Sequence, residues 1–373
     1  MLHIAIIWGE GYNLGLRRCI PHPDETKIER NGVKSVKRFI SLMLCLMMLL
    51  GGACLAEDAF QGSDRSEAVV EQFSRSDRAF PYRFADREEA VELYLSNTAY
   101  FAGATPYDLQ FRLQRKDATA EMLMAFGAEQ MMDFTEKEKA VLVAAMEEIE
   151  ALLKEKKLHL PQISEITFIR STQAEEPGSA YTRGTQIYMD GLIPTLLAGR
   201  GGEHQEGLAI LAHELFHCLT RNAPDFRRDM YRLIGFQIVD QEFDLPAEVR
   251  SISVSNPDVE RHDAYAEFTI DGEKRKCTLV LISKKPFERP GDSLNYLMDV
   301  ALVPVETNEN GQPYYLMKES EDYRKVFGTN TDYVIDPEEC MADNFSYALV
   351  YGPNGSKHFP DPELLQAILE LLQ

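Results

Sequence analysis

Leu208 to Thr220 reads LAILAHELFHCLT, and at its centre His213-Glu214-Leu215-Phe216-His217 spells H-E-x-x-H. On a helix, residues four apart stand one above the other on the same face. His213 and His217 can therefore offer two imidazole nitrogens to one tetrahedral metal ion. Glu214 is turned about 100° from His213, which sets its carboxylate beside the metal, where it could deprotonate a bound water. The pattern suits one chemistry well: zinc brings the pKa of its water down to about 7, and a nearby carboxylate takes the proton as the water attacks a carbonyl. Leu208, Leu211, Leu215 and Leu219 recur at helical spacing and predict a buried face. Pro224, just beyond Arg221 and Asn222, predicts the stop. The bland alternative is an amphipathic helix with two unrelated histidines, but two buried imidazoles would then need costly polar satisfaction.

A third ligand is sought downstream, in Ile335–Tyr351, IDPEECMADNFSYALVY. Asp336 is a natural N-cap and Pro337 a natural first helical residue, so a helix begins at Pro337. Glu339 and Asp343 lie four apart on one face, and a mid-helix aspartate is intrinsically poor. The functional reading makes Glu339 the third metal ligand. Asp343 then holds a ligating histidine by its other ring nitrogen and fixes its tautomer. Glu339 is also the N3 partner of Asp336 in a cap; if it serves there, Glu338 is the ligand.

H-E-x-x-H followed by a helical E-x-x-A-D resembles the gluzincin metallopeptidases. Within them, Glu339-Cys340-Met341-Ala342-Asp343 looks like the third-ligand motif of the membrane-linked prenyl-protein and heat-shock endopeptidases. The phrase PEECMADNF is also similar to one in a group of exported bacterial metallopeptidase-like proteins, in which a helix like Pro362–Leu372 closes the chain. The resemblance covers roughly 160–373 in order, with its sharp motifs confined to about fifteen residues. It implies zinc held by His213, His217 and Glu339, with Glu214 as base and Asp343 behind a ligand. The departure is spacing: His217 and Glu339 are 122 residues apart, far more than in a compact gluzincin. The multiple membrane spans of the prenyl-protein enzymes are absent, so their substrates are not implied.

The remaining pattern predicts an α+β fold: a zincin-like catalytic domain over 161–373, an N-terminal helical lobe over 86–160 and a β-rich insertion over 247–316. Glu88–Ser96, Pro106–Arg115 and Thr119–Met132 read as helices. Thr135-Glu136-Lys137-Glu138 is a capping box that opens a long helix to about Lys157. Glu165–Arg170 and Ala180–Met189 read as strands, with a turn at 175–179 between them. The second of these strands, by its order along the chain, is a candidate cleft edge that pairs with a substrate backbone. Phe226–Ile234 reads as a helix. In the insertion, Arg250–Val254, Ala264–Ile270, Lys276–Ile282 and Tyr314–Met317 are strand-like, with a hairpin signal at Asp271-Gly272. A hydrolase also needs a group besides the metal to stabilise an oxyanion. His262 is the first candidate, followed by Tyr265, Tyr347 and His358.

The chain carries a net charge of −21 with 45% hydrophobic residues. It is globular and acidic with no basic stripe, which argues against nucleic acid and anionic membrane surfaces as partners. Lys34, Lys37 and Arg38 precede Phe39–Ala56, an uncharged run of 18 residues, and Gly51, Gly52 and Ala53 follow its apolar centre. This describes a secretory leader over 1–56. The run just reaches spanning length, so an uncleaved anchor is the alternative, and Gly51-Gly52-Ala53-Cys54 resembles a weak lipobox with lipidation at Cys54. Residues 1–33 have no clear role, and Val33 is the expected true start. Residues 57–85 read as a flexible tether. Beyond the leader, Cys218, Cys277 and Cys340 are odd in number and imply no disulfide framework; they read as small buried hydrophobes.

The expected protein is thus an exported zinc-dependent peptidase acting on a peptide or protein. The alternative is a non-catalytic envelope binding protein whose zinc only staples two helices. A third option is zinc hydrolysis of a non-peptide amide.

Overall fold

The structure, a computed structural model, describes residues 80–176, 180–293, 297–306 and 311–373. The leader, the Cys54 lipobox, Val33, most of the expected tether and residues 177–179 of the expected turn lie outside them. The described part has an α+β architecture. Among its helices none is long and apolar enough to cross a membrane.

The chain begins with β1 (Tyr82–Phe84), α1 (Arg87–Ser96), α2 (Thr98–Gly103), α3 (Pro106–Leu113), α4 (Ala120–Gln130), β2 (Met131–Met132) and α5 (Glu136–Lys156). Then come β3 (Ile166–Ser171), β4 (Tyr181–Arg183), β5 (Gln186–Met189), α6 (Leu192–Leu197), α7 (Gly202–Asn222) and α8 (Pro224–Arg232). The first sheet has the order β1-β3-β5-β4, with β2 also pairing β3; β1, β3 and β5 are parallel and β4 antiparallel. Ala180–Met189 is therefore a hairpin and not one strand. It turns at Gly184, whose φ of +57° is the left-handed conformation that glycine adopts freely. β1 also corrects the expected tether: Tyr82–Phe84 are a strand hydrogen-bonded in register with Ile166–Phe168.

Strand alternation splits the core into two layers. Phe168, Ile187 and Met189 face α5, α6 and α7, while Ile169, Tyr188 and Tyr181 face α1–α4. The long helix α5 opens on the expected capping box, Thr135 with Glu138. Its stripe of Leu142, Ala145, Ile149 and Leu153 enters the main core. The expected helical lobe thus divides: α1–α4 cover one face of the sheet, and α5 belongs with the metal-motif helix on the other.

Next come β6 (Gln237–Ile238), α9 (Ala247–Arg250), β7 (Ala264–Ile270), β8 (Glu273–Ser283), β9 (Met298–Pro304) and β10 (Tyr315–Leu316). They form an antiparallel sheet in the order β10-β9-β8-β7-β6. Asp271 and Gly272, both at positive φ, make the expected hairpin turn. The β-rich segment opens at Gln237, ahead of the expected residue 247, because a two-residue strand gives no periodicity to read. β9 carries no alternation either, for a related reason. It is buried on both faces, so its sequence does not alternate. Arg250–Val254 is not a strand: α9 ends at Arg250, and Ser253 makes a single bridge to Ile282.

The chain closes with α10 (Tyr323–Phe327), α11 (Pro337–Val350) and α12 (Pro362–Leu371). α7 and α11 pack together, and Phe345 lies against Phe216 at 5.4 Å and Phe226 at 6.4 Å between ring centroids. All of Phe345 is buried. Phe345→Ala is expected to cost about 3–5 kcal/mol in urea unfolding, through lost burial and the cavity left behind.

Candidate metal centre

The centre is built from the facing sides of α7 and α11. Helix α11 starts as its sequence dictates: the Asp336 side chain accepts from the Glu338 N–H at 2.8 Å and Pro337 takes the first turn. That cap leaves the Glu339 carboxylate out of a capping box. It turns instead toward the histidines, with its Oε2 at 3.2 Å from His213 Nε2 and 3.6 Å from His217 Nε2.

The far nitrogen of each ring is anchored. His213 Nδ1–H donates to Asp343 at 2.9 Å, and His217 Nδ1–H donates to Glu338 at 2.9 Å. A carboxylate accepts and cannot donate, which fixes the tautomer and leaves both Nε2 lone pairs facing inward. Asp343 is itself held by the Thr331 hydroxyl, and Glu338 by Thr220 and, at 2.5 Å, by the Tyr231 hydroxyl. Glu338 and Glu339, consecutive on the helix, thus serve opposite sides of the imidazole pair. The geometry favours Glu339 over Glu338 as the third donor. Glu339→Gln is accordingly expected to weaken metal binding far more than Glu338→Gln. Glu338→Gln and Asp343→Asn are expected to weaken it about 10–100-fold each. Competition against a coloured zinc chelator measures all three.

The donor set fits a metal ion. His213, His217 and Glu339 each offer one ligand atom, all within 4.8 Å of one another. Zinc–nitrogen bonds of about 2.0 Å at tetrahedral angles separate donors by roughly 3.3 Å, close to the 3.2 and 3.6 Å seen here. His217 Nε2 is buried with no hydrogen-bond partner. Two inward nitrogens and a carboxylate need positive charge among them, whether protons or a cation. The titration of these groups shows the same demand. Burial opposes charge on His217, but Asp258, Glu338 and Glu339 outweigh it and push it up to about 10. Burial likewise opposes charge on His213, and hydrogen bonds to Asp343 and Glu339 raise it well above the ordinary imidazole value. For Glu339 burial acts upward, yet the two histidines hold it below the usual carboxylate range.

Glu214 sits beside this set as its position in the motif requires. It is buried, its Oε2 has no hydrogen-bond partner, and burial together with the Asp258 charge pushes it up to about 8. Glu214, His217 and Asp258 also offer ligand atoms within 4.8 Å of one another.

His262 does not join the site. Its Nδ1 lies 3.1 Å from the Leu279 carbonyl on β8, and burial there lowers its pKa. The Tyr265 hydroxyl donates to Gln237 on the insertion sheet. Tyr347 reaches Asp343 at 3.4 Å, behind the histidines, and His358 is exposed. The stretch that carries His262, NPDVERHDAY, does reach the centre, but through Asn256 and Asp258. The Asn256 amide donates to Glu339 Oε1. Tyr333 is a further neighbour: its ring stacks on His213 at 6.2 Å between centroids, and burial together with the Glu339 charge raises its hydroxyl well above the ordinary phenol value. The signal for Asn256 and Asp258 was a turn-forming Asn-Pro-Asp within a charged loop, and nothing local distinguishes such a turn from solvent-exposed ones. Cys218, Cys277 and Cys340 are buried and free, as expected.

Comparisons with protein-family models, curated proteins and solved structures find no match for this chain, so the centre is read from its own geometry.

Proposed function

We propose that the protein is an exported zinc-dependent metallopeptidase with a zincin-like catalytic core. The observation that carries this reading is the convergence of His213 Nε2, His217 Nε2 and Glu339 Oε2, each imidazole backed by a carboxylate, beside the buried and unpaired Glu214. His213, His217 and Glu339 would hold the metal. When bound, zinc polarises a peptide carbonyl and acidifies water. Asp343 and Glu338 keep both rings turned with Nε2 inward. Glu214, made basic by burial, takes a proton from the attacking water and returns it to the departing amine nitrogen. The Tyr333 ring, stacked on His213, limits how far that imidazole can tilt. Export rests on the basic and then apolar leader expected over 1–56.

Asp258 favours a second reading, the non-catalytic zinc-stabilised binding protein. Structural sites are normally closed by four protein ligands, and Asp258 stands beside Glu214 and His217. One preparation separates the two readings. Zinc is counted by atomic absorption, and a peptide library is incubated with protein that is zinc-loaded, chelator-stripped or reloaded. The peptidase reading expects one zinc per chain, with cleavage lost on stripping and regained on reloading. Full zinc with no cleavage under any condition, including removal of the Asp258 carboxylate, would overturn it in favour of the binding protein.

A further inference from the structure

β4 is the edge strand of the first sheet and leads, through the β4–β5 hairpin and α6, into the metal-motif helix. Its pairing with β5 puts Tyr181 opposite Tyr188 and Arg183 opposite Gln186. The Thr182 N–H between them bonds outside the sheet, and in an antiparallel pair its carbonyl faces the same way. An edge of this kind is where an extended peptide adds. Here both outward groups are taken. The Thr182 N–H donates to Asp258 Oδ1 at 2.8 Å, and the Thr182 carbonyl accepts from the Arg183 guanidinium at 2.9 Å.

The chain's own segment leaves the second sheet at Ser253 and Val254, where Ser253 bridges Ile282 and the Val254 N–H donates to Leu281 at 2.9 Å, passes α3 and reaches this edge at Pro257 and Asp258. The Ser253 carbonyl accepts from Thr105 at 2.8 Å. The Ser255 N–H donates to Asp108 at 2.7 Å and its carbonyl accepts from Arg112 at 3.1 Å. The Asn256 amide reaches Glu339, and the Pro257 carbonyl accepts from Arg183 and Arg221. The Asp258 carboxylate ends the run, bonded by the Thr182 N–H and hydroxyl, with Arg221 at 3.4 Å. One backbone N–H, a hydroxyl and a guanidinium around one carboxylate make a carboxylate receptor.

We propose that Ser255–Asp258 is a resident ligand of the peptide cleft, and that the ligand it excludes is a peptide with an acidic side chain where Asp258 sits. The proposal rests on reading β4 as the wall of that cleft. Tethered at both ends, the segment faces its groove at an effective concentration on the order of millimolar, so a free peptide of equal intrinsic affinity displaces it only above that concentration. Arg221 stays charged whether or not a carboxylate faces it, so lifting the segment away leaves a cation for an acidic ligand.

The test uses the full chain with Glu214→Gln throughout, so that no probe is consumed. Two probes are titrated by calorimetry: acetyl-Val-Ser-Asn-Pro-Asp-Val-amide, the sequence of residues 254–259, and its analogue with Asn for Asp. Glu214→Gln alone is expected to bind neither. Adding Asp258→Ala is expected to open the groove to the acidic probe and to bind the neutral one at least about tenfold more weakly, as loss of a charge-assisted bond implies. Asp258→Asn is isosteric, keeps an acceptor for Thr182 and loses only the charge facing Arg221. It guards against misfolding of the alanine variant and is expected to admit the acidic probe to a lesser degree. Equal binding with and without the Asp258 substitutions would overturn self-occupancy. Equal affinity for the two probes would overturn the acidic ligand class, and no binding by either variant would overturn the proposal whole. Zinc content is measured on the same samples. Probe binding as expected without zinc would sink the peptidase reading alone, and full zinc with failed probe binding would sink this inference alone.

Discussion

Glu214→Gln is expected to keep its zinc and to lose peptide cleavage by about 10²–10⁴. The substitution preserves the shape of the side chain inside a helix that is otherwise fully packed from Leu208 to Thr220 apart from Ile210. Glu214 is not among the three converging donors His213, His217 and Glu339, so metal content should not change. What is removed is basicity. A buried carboxylate pushed up to about 8 holds a proton readily near neutrality, whereas an amide cannot accept one. Burial and the Asp258 charge oppose only a charged group at this position; the glutamine is uncharged, so the variant should fold at least as well. Zinc stoichiometry and library cleavage on one sample decide the matter. Cleavage by the glutamine variant at the parent rate would remove Glu214 from the mechanism.

The combined His213→Ala and His217→Ala variant is expected to fall from one zinc per chain to none. Stability should follow the metal. A ligand that binds only the folded state stabilises it by about 4 kcal/mol when free ligand exceeds Kd by about a thousandfold. Chelation should therefore lower the melting temperature of the parent and leave that of the double variant unmoved. The variant also strands Asp343 and Glu338, which lose their imidazole partners while buried. It should thus melt below even the chelated parent, since an unpaired buried charge costs several kcal/mol. Zinc retained at full occupancy in the double variant would refute the centre.

What could be read from sequence was whatever a helical turn encodes. His213, Glu214 and His217 lie about one turn apart on one helix, and Asp336, Pro337, Glu339 and Asp343 within two turns at the start of another, so their spacing carries their geometry. Short range also served Thr135 with Glu138 and Asp271-Gly272, where cap and turn chemistry is local. The failures share a cause. β1 and β6 are three and two residues long and exist because β3 and β7 are there to pair with them. Asn256 and Asp258 reach the centre because Thr182, Arg183 and Arg221 receive their segment, and none of those partners is nearby in sequence. His262, a candidate in the same loop by residue type alone, turns its ring to a β8 carbonyl instead.

The two carboxylate–imidazole pairs bridge 130 and 121 residues of chain. On α7 the histidines are four residues apart; on α11 Glu338 and Asp343 are five apart, and the later histidine meets the earlier acid. The helices therefore run in opposing senses at their contact. With unequal intervals on the two sides, sliding one helix by a turn cannot restore both pairs. A purely apolar seam of leucines and phenylalanines would tolerate several such alignments at similar energy. Here each misalignment leaves a buried carboxylate or imidazole without its partner, at several kcal/mol apiece. The polar pairs thus work as a two-digit combination: of the alignments an apolar seam would allow, one alone is accepted.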